Sequence, residues 1–563
     1  MCRRWIGIVL AIALLLGDSA IAAQFAFQIT FTDKNNTPYS LSSPLVYLSA
    51  RSLARRTTQG IAVDSTDLPV NPAYIDSVLT LTGGTFHETS RWLDMCIILL
   101  HDADSSQILH LIGKSFIRDI KLVGHYTSDL HRSSNITGTH SASSVKRTTT
   151  GDSGYYNDTW PETELVNGNF LHDNGFKGQG KLIAVIDAGY IGTNTHPGFD
   201  SLWSNNRVVD RYNFTFHEDY VFTQDDHGTE VLSTMAGYQP GTFVGSAPLA
   251  MYALYVSEWD IDASDDEPLE LDNLLCAAER ADSVGADIIT ESLGYDVFSL
   301  PFSGFSFSDL DGKTTIGARA ANMATMKGML FVATAGNDGT GGPGGWGTHI
   351  TTPGDADSAL TIGSVDAFGT SSDFSGFGPN AAGQIKPDVC GMGEGAYTFN
   401  GSNGYATPGG TSISTPQIAG WAACLWQANP NATPYQIKQA IIRCASHYTS
   451  PGNQIGYGVP NFQCTEQALG VDKVPAMPKS VWIIPAPNPF SDDLKLYVSP
   501  EESGNVDLEI YDITGKKAFS SQRFLYKGYN IPVTLPLQSL AAGVYILKAV
   551  SATQQQTLKL EKL

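Results

Sequence analysis

The central part of the chain alternates uninterrupted apolar runs with stretches of helical periodicity. Two stretches, residues 271–283 and 316–327, have the apolar spacing of helices that cover one face of a sheet. Short apolar runs without polar interruption predict strands buried on both faces, and they lie at residues 182–186, 251–256, 286–290, 329–335 and 360–365. This alternation predicts an α/β domain with a doubly wound parallel sheet, in which reactive side chains gather beyond the carboxyl ends of the strands.

Regions of different character flank this central part. Residues 24–126 alternate short apolar and helical segments, which predicts a small α+β domain. Residues 127–156 are rich in Ser, Thr, Gly, Asn and His, a linker composition that proteases cut readily. After a proline-rich boundary, residues 484–563 alternate apolar and polar positions between turns, which predicts a small β-sandwich.

Composition and charge exclude several classes of protein. The chain has 563 residues and a formal net charge of −22, which argues against nucleic acid or an anionic membrane as the main partner. Arg3 and Arg4 precede an apolar run at residues 6–16 and then small residues at 20–22, the pattern of a cleaved signal peptide. No later stretch approaches the roughly 18 apolar residues of a transmembrane helix.

The seven cysteines are irregularly spaced and form no C-x-x-C pair, so they indicate neither a disulfide framework nor a zinc site. Cys444 and Cys464 are near enough in sequence to pair, and the others are expected to be buried thiols.

Chemically useful side chains stand at the predicted strand ends. Asp187 follows the first strand, His227 opens a helix, Asn337 follows a later strand, and Ser412 precedes a helix predicted at residues 414–429. A serine in that position is more often a helix cap than a nucleophile. An acid, an imidazole, an amide and a hydroxyl together nevertheless supply the parts needed for acyl transfer.

The residues around these positions resemble the Asp, His, oxyanion-hole and Ser blocks of subtilisin-like serine proteases. The matching segments are Ile183-Ala184-Val185-Ile186-Asp187-Ala188-Gly189, His227-Gly228-Thr229, Ala335-Gly336-Asn337 and Gly410-Thr411-Ser412. The resemblance spans about residues 155–470, and the chain order Asp, His, Ser is a known property of that family.

The resemblance implies a role for each of these residues. Asp187 would orient His227, His227 would act as general base and then acid, and Ser412 would be the nucleophile. Asn337 would donate to the oxyanion beside the Ser412 N–H, and Ser414 and Thr415 would then cap the helix. The substrate-binding pocket would be lined by Ser292, Leu293, Gly294, Ala335 and Gly336.

Several other charged residues and histidines lie outside the predicted triad. Glu291 precedes Ser292 but should face away from it on an alternating strand. Arg55-Arg56 would be a processing site or, as we expect on a helix, a solvated face. His196 lies in a turn and His217 in a polar loop, so neither is expected to be catalytic.

The resemblance implies no cofactor for the reaction, and no metal ligands are predicted. Some subtilases bind structural calcium, and the acidic run at residues 260–267 is the candidate here. The run lacks the glycine and the ligand spacing of a known calcium loop, which favours a solvated insertion.

Residues 484–563 are similar to the C-terminal sorting domain of type IX (Por) secretion, through Pro487-Asn488-Pro489-Phe490, Tyr511-Asp512-Ile513-Thr514-Gly515-Lys516 and Leu540-Ala541-Ala542-Gly543-Val544-Tyr545. The resemblance implies export across a Gram-negative outer membrane by that secretion machinery, followed by removal of the domain.

The predicted organisation is therefore that of an exported protease precursor, with a secreted or cell-surface location. Its parts are a signal peptide at 1–23, a pro-domain with processing linker at 24–150, a catalytic domain at 151–470, a linker at 471–483 and a sorting domain at 484–563. The predicted function is a serine endopeptidase acting on polypeptides. The alternative is a catalytically idle subtilase fold used for binding or adhesion at the cell surface.

Overall fold

The computed structural model describes residues 23–127, 153–259, 266–339, 350–469 and, within 482–563, all but 487, 492, 499–503 and 526–531. The predicted signal peptide, most of the 127–156 linker and most of the 471–483 linker lie outside the described residues. The chain forms two compact units, one over residues 1–432 and 440–466 and the other over 433–439 and 467–563.

The first unit begins with a four-stranded antiparallel sheet of order β2-β3-β1-β4. Its elements are β1 (Ala23–Phe31), α1 (Ala50–Gln59), α2 (Pro72–Thr82), β2 (Thr85–Ser90), β3 (Met95–His101) and β4 (Ile117–Thr127). A 3-10 helix, Asp102–Leu111, and a turn lie between β3 and β4. The region is a small α+β domain, as predicted.

The central sheet has seven parallel strands in the order β13-β12-β11-β10-β5-β9-β6. The strands are β5 (Leu182–Asp187), β6 (Val208–Asn213), β9 (Met251–Val256), β10 (Ile288–Glu291), β11 (Leu330–Thr334), β12 (Leu360–Val365) and β13 (Val389–Met392). Two short ribbons accompany them, β7 (Tyr238–Gln239) with β8 (Phe243–Val244) and β14 (Thr398–Phe399) with β15 (Tyr405–Ala406). The doubly wound α/β prediction is confirmed.

The two edge strands of this sheet, β6 and β13, were not predicted. Burial alternates along most of β6, and β13 is a short run with a glycine inside it, so neither has the continuous apolar signal of the inner strands.

Helices cover both faces of the sheet. The helices described between residues 153 and 469 are α3 (Ser153–Tyr156), α4 (Trp160–Leu165), α5 (Asn169–Asp173), α6 (Asp200–Ser204), α7 (His227–Ala236), α8 (Pro268–Val284), α9 (Ile316–Met326), α10 (Thr411–Ala428), α11 (Pro434–Arg443) and α12 (Phe462–Leu469). Leu271 and Leu274 of α8 share one apolar core with Ala184 and Ile186 of β5, so α8 covers one face of the sheet. Helices α7 and α10 contact each other and the strands, α7 at β5 and α10 at β10 to β13.

The strand order reverses between β5 and β10. The chain leaves β5 for β6 on one side, whereas it leaves β10 for β11 on the other. A crevice opens at the carboxyl ends of the strands at such a reversal, and Asp187 and Glu291 are the last residues of the two strands.

The N-terminal sheet packs against α8. Phe25 and Phe27 of β1 face the core of their own domain, and the alternate residues Ala26 and Gln28 face the other way. Ala26 packs with Leu269, and the Gln28 amide donates to Asp272 Oδ1 at 3.2 Å.

The Arg55-Arg56 pair is buried at this contact, so the expected solvated face is wrong. Both guanidinium groups donate to Asp282 of α8, and Arg56 also binds Asp67. Asp282 accepts from Arg91 as well, at 3.0 Å. A pattern along one helix does not reveal that a second domain will cover it, which is why the pair was predicted to be solvated.

The second unit contains two antiparallel sheets that share one apolar core. Their orders are β16-β17-β20 and β19-β18-β21-β22. The strands are β16 (Ile483–Ala486), β17 (Asp493–Val498), β18 (Gly504–Asp512), β19 (Lys517–Leu525), β20 (Pro532–Pro536), β21 (Gly543–Val550) and β22 (Gln555–Lys562). The β-sandwich prediction is confirmed.

Cys444 and Cys464 form a disulfide, and Cys96, Cys276, Cys390 and Cys424 are buried free thiols, as expected. Among the described helices, none combines the length and apolar character needed to cross a membrane.

Candidate active site

Asp187 and His227 meet at the carboxyl end of the sheet. Asp187 ends β5 and is completely buried, and His227 is the first residue of α7. Their side chains are 2.7 Å apart, from Asp187 Oδ1 to His227 Nδ1. The Ala188 N–H also donates to Asp187 Oδ1, at 2.8 Å, which fixes the carboxylate and with it the orientation of the imidazole.

Acidic groups determine the electrostatics of His227. Burial alone would lower its pKa, but the carboxylate of Asp187, with smaller contributions from Asp225 and Glu230, raises the pKa of His227 to about 9. Burial raises the pKa of Glu230 itself to about 7, although the charge of His227 opposes that change. The Asp225 side chain accepts from the His227 N–H at 2.6 Å, so α7 begins with its first donor satisfied.

Ser412 lies in the first turn of α10, which begins at Thr411, three residues before the predicted start. The N-cap residue is Gly410, and no side chain caps the helix. The Ser414 and Thr415 hydroxyls do not cap it either, because both donate to the Thr411 carbonyl, at 3.0 and 2.7 Å. The Ser412 N–H belongs to the first turn, where no earlier helical carbonyl can accept it.

The Asn337 amide is held by the residue before Ser412. Thr411 donates to Asn337 Oδ1 twice, from its N–H at 2.8 Å and from its hydroxyl at 2.9 Å. Because Thr411 occupies Oδ1, the Nδ2 group of Asn337 is directed away from Thr411. Gly336, whose φ of +91° suits glycine, allows the sharp turn that carries Asn337 out of β11 to an exposed position.

Ser412 and Asn337 border one small space beside Gly410. A Cβ placed on Gly410 would lie 2.7 Å from Ser412 Oγ and 3.6 Å from Asn337 Nδ2. The hydroxyl and the amide donor therefore line the same space, and only a residue without a side chain leaves it open.

The predicted pocket residues lie side by side because β10 and β11 are neighbouring parallel strands. Ser292–Gly294 continue from β10, and Ala335 and Gly336 continue from β11. Thr351 was not predicted, although it lies between the two segments. A Cβ at Gly336 would be 2.9 Å from Thr351 Oγ1, and one at Gly294 would overlap the same hydroxyl. No motif marks Thr351, because its approach to Gly294 joins segments that are distant in the chain.

Glu291 is the last residue of β10, and its orientation away from Ser292 stays a prediction. Its side chain is fully buried and accepts from the Leu293 N–H at 3.0 Å. Burial raises the pKa of Glu291 well above its ordinary value, which favours the neutral form of its carboxyl.

The described end of the acidic run is buried, so a solvated insertion is wrong for Asp266 and Glu267. Carboxylate oxygens of Glu258, Asp266 and Glu270 lie within 4.8 Å of one another. Burial, and then mutual repulsion, raises the pKa values of Glu258 and Glu270 far above normal. Such oxygen donors suit calcium.

The other two histidines have structural contacts. His196 stacks on Phe399 and accepts from the Gly198 N–H, and the His217 ring lies against His87 with 2.8 Å between their nitrogens. The structure gives neither of them a contact with Asp187, His227 or Ser412.

Comparison with known proteins identifies the fold. Residues 178–458 match the Subtilase family, which includes the regions of Asp187, His227, Asn337 and Ser412. The chain belongs to the subtilase family. This subtilase is therefore a serine peptidase.

Two curated relatives illustrate the similarity. Subtilisin DY of Bacillus licheniformis is 27% identical over 296 residues, which cover 52% of this chain and 93% of that protein. The thermostable alkaline protease of Halalkalibacterium halodurans is 29% identical over 289 residues, which cover 51% of this chain and 68% of that protein. The solved structure of MycP3 protease from the type VII (ESX-3) secretion system covers 57% of this subtilase and 90% of its own chain, at 23% identity and a TM-score of 0.45.

The flanking regions match families of their own. Residues 26–139 match the peptidase S8 propeptide domain of Bacteroidota, and residues 486–562 match the secretion system C-terminal sorting domain. This subtilase is thus made with a propeptide and carries the sorting domain of type IX secretion, which directs export to the cell surface or beyond. The exact boundaries given in the sequence analysis stay predictions.

Proposed function

We propose that this subtilase is an endopeptidase in which Asp187, His227 and Ser412 form the catalytic triad and Asn337 completes the oxyanion hole. The observation that carries the proposal is the 2.7 Å contact between Asp187 Oδ1 and His227 Nδ1. It holds the imidazole in one orientation at the end of the sheet where Ser412 and Asn337 share the space beside Gly410.

In the first half of the reaction, the Ser412 hydroxyl attacks the substrate carbonyl while His227 Nε2 takes its proton. Asp187 stabilises the resulting imidazolium through its bond to Nδ1. The oxyanion accepts hydrogen bonds from the Ser412 N–H and from Asn337 Nδ2. His227 then gives its proton to the leaving amine, and the acyl-enzyme remains.

In the second half, His227 takes a proton from water, and the water oxygen attacks the acyl carbon. The second oxyanion uses the same two donors, and collapse returns the proton from His227 to Ser412 as the acid product leaves. Since these residues supply nucleophile, base and charge stabilisation, we propose that hydrolysis requires no cofactor. Activity in a metal chelator checks that point.

Substrates bind, in our proposal, along Ser292–Gly294 and Ala335–Gly336, with Thr351 limiting the depth of the pocket. The supporting geometry is the approach of Thr351 to both glycines. A small pocket follows from this approach, and burial favours the neutral form of the neighbouring Glu291 carboxyl.

We propose that a signal peptide at 1–23 directs the precursor across the inner membrane and that the type IX machinery recognises the sorting domain. The propeptide keeps the enzyme inactive until the enzyme itself cuts the 127–156 linker. Loss of the N-terminal segment from pure Ser412→Ala protein would contradict self-processing.

A fluorophosphonate label tests the triad directly. Wild-type protein is expected to take one label on Ser412, and His227→Ala is expected to take almost none. A His217→Ala variant serves as control, because that ring lies outside the triad. Wild-type protein that neither labels nor cleaves unfolded protein would contradict the proposal and leave the idle binding protein as the explanation.

A further inference from the structure

Helix α10 contains a proline at position 416, four residues after Ser412. In an α-helix, the N–H of residue 416 would donate to the carbonyl of residue 412. Proline has no N–H, and its ring also crowds the carbonyl four residues earlier. The Ser412 carbonyl is therefore without its helical partner, although it belongs to the nucleophile itself.

A side chain from the neighbouring strand takes that place. The Ser292 hydroxyl donates to the Ser412 carbonyl at 3.0 Å. Ser292 is only 5% exposed and directly follows β10, so the sheet holds its position.

Hydroxyls on α10 itself do not serve this carbonyl. Ser414 donates to the carbonyls of Gly363 and Thr411, and Thr415 donates to Thr411. Among the described residues, the hydrogen bond that joins the peptide unit of Ser412 to the substrate-binding strand is the one from Ser292.

We infer that Ser292 is a positioning residue for the nucleophile, which acts through the carbonyl that Pro416 leaves free. The bond ties the backbone of Ser412 to the segment that binds substrate, so that the distance between the Ser412 hydroxyl and the bound carbonyl is set by the rigid sheet. This inference rests on the proposed function, and it gives Ser292 a role separate from lining the pocket.

A positioning role and a pocket-lining role have different kinetic consequences. Loss of a pocket wall changes substrate affinity and therefore KM. Loss of alignment between nucleophile and substrate lowers kcat, because small displacements in the attacking geometry are costly. We expect Ser292→Ala to lower kcat about 10-fold, as for a buried carbonyl left unpaired, with little change in KM.

A double-mutant cycle with Pro416→Ala tests the mechanism. Alanine at 416 supplies the missing N–H, so the Ser412 carbonyl regains its helical partner. We expect Ser292→Ala to lower kcat by less than about 3-fold in the Pro416→Ala background. Kinetics on a chromogenic peptide are measured with the full-length chain and normalised to active sites by fluorophosphonate titration.

Two further variants complete the design. Ser292→Thr keeps a hydroxyl and is expected to retain most of kcat. Ser414→Ala removes a hydroxyl of the same turn, one that makes no hydrogen bond to the Ser412 carbonyl. Its effect on kcat should be equal with Pro416 and with Pro416→Ala.

Equal losses from Ser292→Ala in both backgrounds, or a change confined to KM, would overturn the inference. If Ser292→Ala yields no folded protein, Ser292→Cys is put through the same cycle, since it keeps the volume and weakens the donor. Wild-type protein without activity would instead contradict the proposed function, so the two failures are distinguishable.

Discussion

The Asn337 side chain shows how one hydrogen bond selects the chemistry of an amide. An amide offers an acceptor and a donor, and Thr411 occupies the acceptor with two hydrogen bonds. The donor end is therefore available for an oxyanion, and it costs no reorganisation when charge develops there.

Asn337→Ala is expected to lower kcat by about 100- to 1,000-fold, the loss known for the equivalent donor of a subtilisin, with KM nearly unchanged. Steady-state kinetics on a peptide substrate measure it. Asn205→Ala is the matched control, because that exposed amide binds only local groups of α6. A loss below about 5-fold at Asn337 would remove it from the oxyanion hole.

The pKa of His227 predicts how the activity of the enzyme depends on pH. A general base must be neutral to accept the serine proton, and Asp187 raises the pKa of His227 to about 9. Below that pH the imidazole is mostly protonated, so kcat/KM should rise about tenfold per pH unit and level off near pH 9.

The control for this profile is Asp187→Asn. Without the carboxylate charge the pKa of His227 should fall, which moves the rising limb to lower pH while the maximum rate drops. A wild-type profile already flat at pH 7 would contradict the assignment of the raised pKa to His227.

At the level of elements, α8 serves two domains at once. One face of the helix packs on the central sheet. Asp282, near the C-terminal end of the helix, accepts hydrogen bonds from three arginines of the N-terminal domain. The arginines outweigh the effect of burial and lower the pKa of Asp282, so its carboxylate stays charged.

Asp282→Asn is expected to destabilise the precursor by about 3 to 5 kcal/mol, because the arginine charges lose their buried partner. Denaturant unfolding of the Ser412→Ala precursor measures this free energy with the propeptide attached. Glu509→Gln removes one partner of the exposed pair with Lys517 and should leave stability unchanged. Equal stabilities for the two variants would show that the arginine cluster contributes nothing.

At the level of the whole molecule, the export signal and the catalytic machinery lie in separate compact units. The sorting domain has its own apolar core, drawn from both of its sheets. Deletion of residues 484–563 should therefore abolish appearance outside the cell and leave peptidase activity intact.

Activity of a truncated chain is measured in periplasmic and extracellular fractions with the same peptide substrate. We expect the activity to be retained in the periplasm. Loss of specific activity on truncation would show that the C-terminal domain is needed for the catalytic fold, and continued secretion would contradict its role in export.

The sequence by itself determined the layout of the molecule. Continuous apolar runs identified the inner strands of the parallel sheet. Side chains at strand ends and helix starts predicted Asp187, His227, Asn337 and Ser412 as site residues, and their catalytic roles stay predictions. The strand prediction succeeds because burial on both faces is a local consequence of the residues concerned.

Only the tertiary structure decided what depends on contacts between distant segments. Each of these features depends on residues that are far apart in the chain. They are the pairing of the edge strands β6 and β13, the burial of Arg55 and Arg56, the approach of Thr351 to the pocket, and the bond from Ser292 to the Ser412 carbonyl. The first turn of α10 is the clearest case. Ser414 and Thr415 were expected to cap the helix once Ser412 was interpreted as the nucleophile. In the structure the helix instead starts at Thr411, whose N–H donates to Asn337, so Ser412 lies in the first turn.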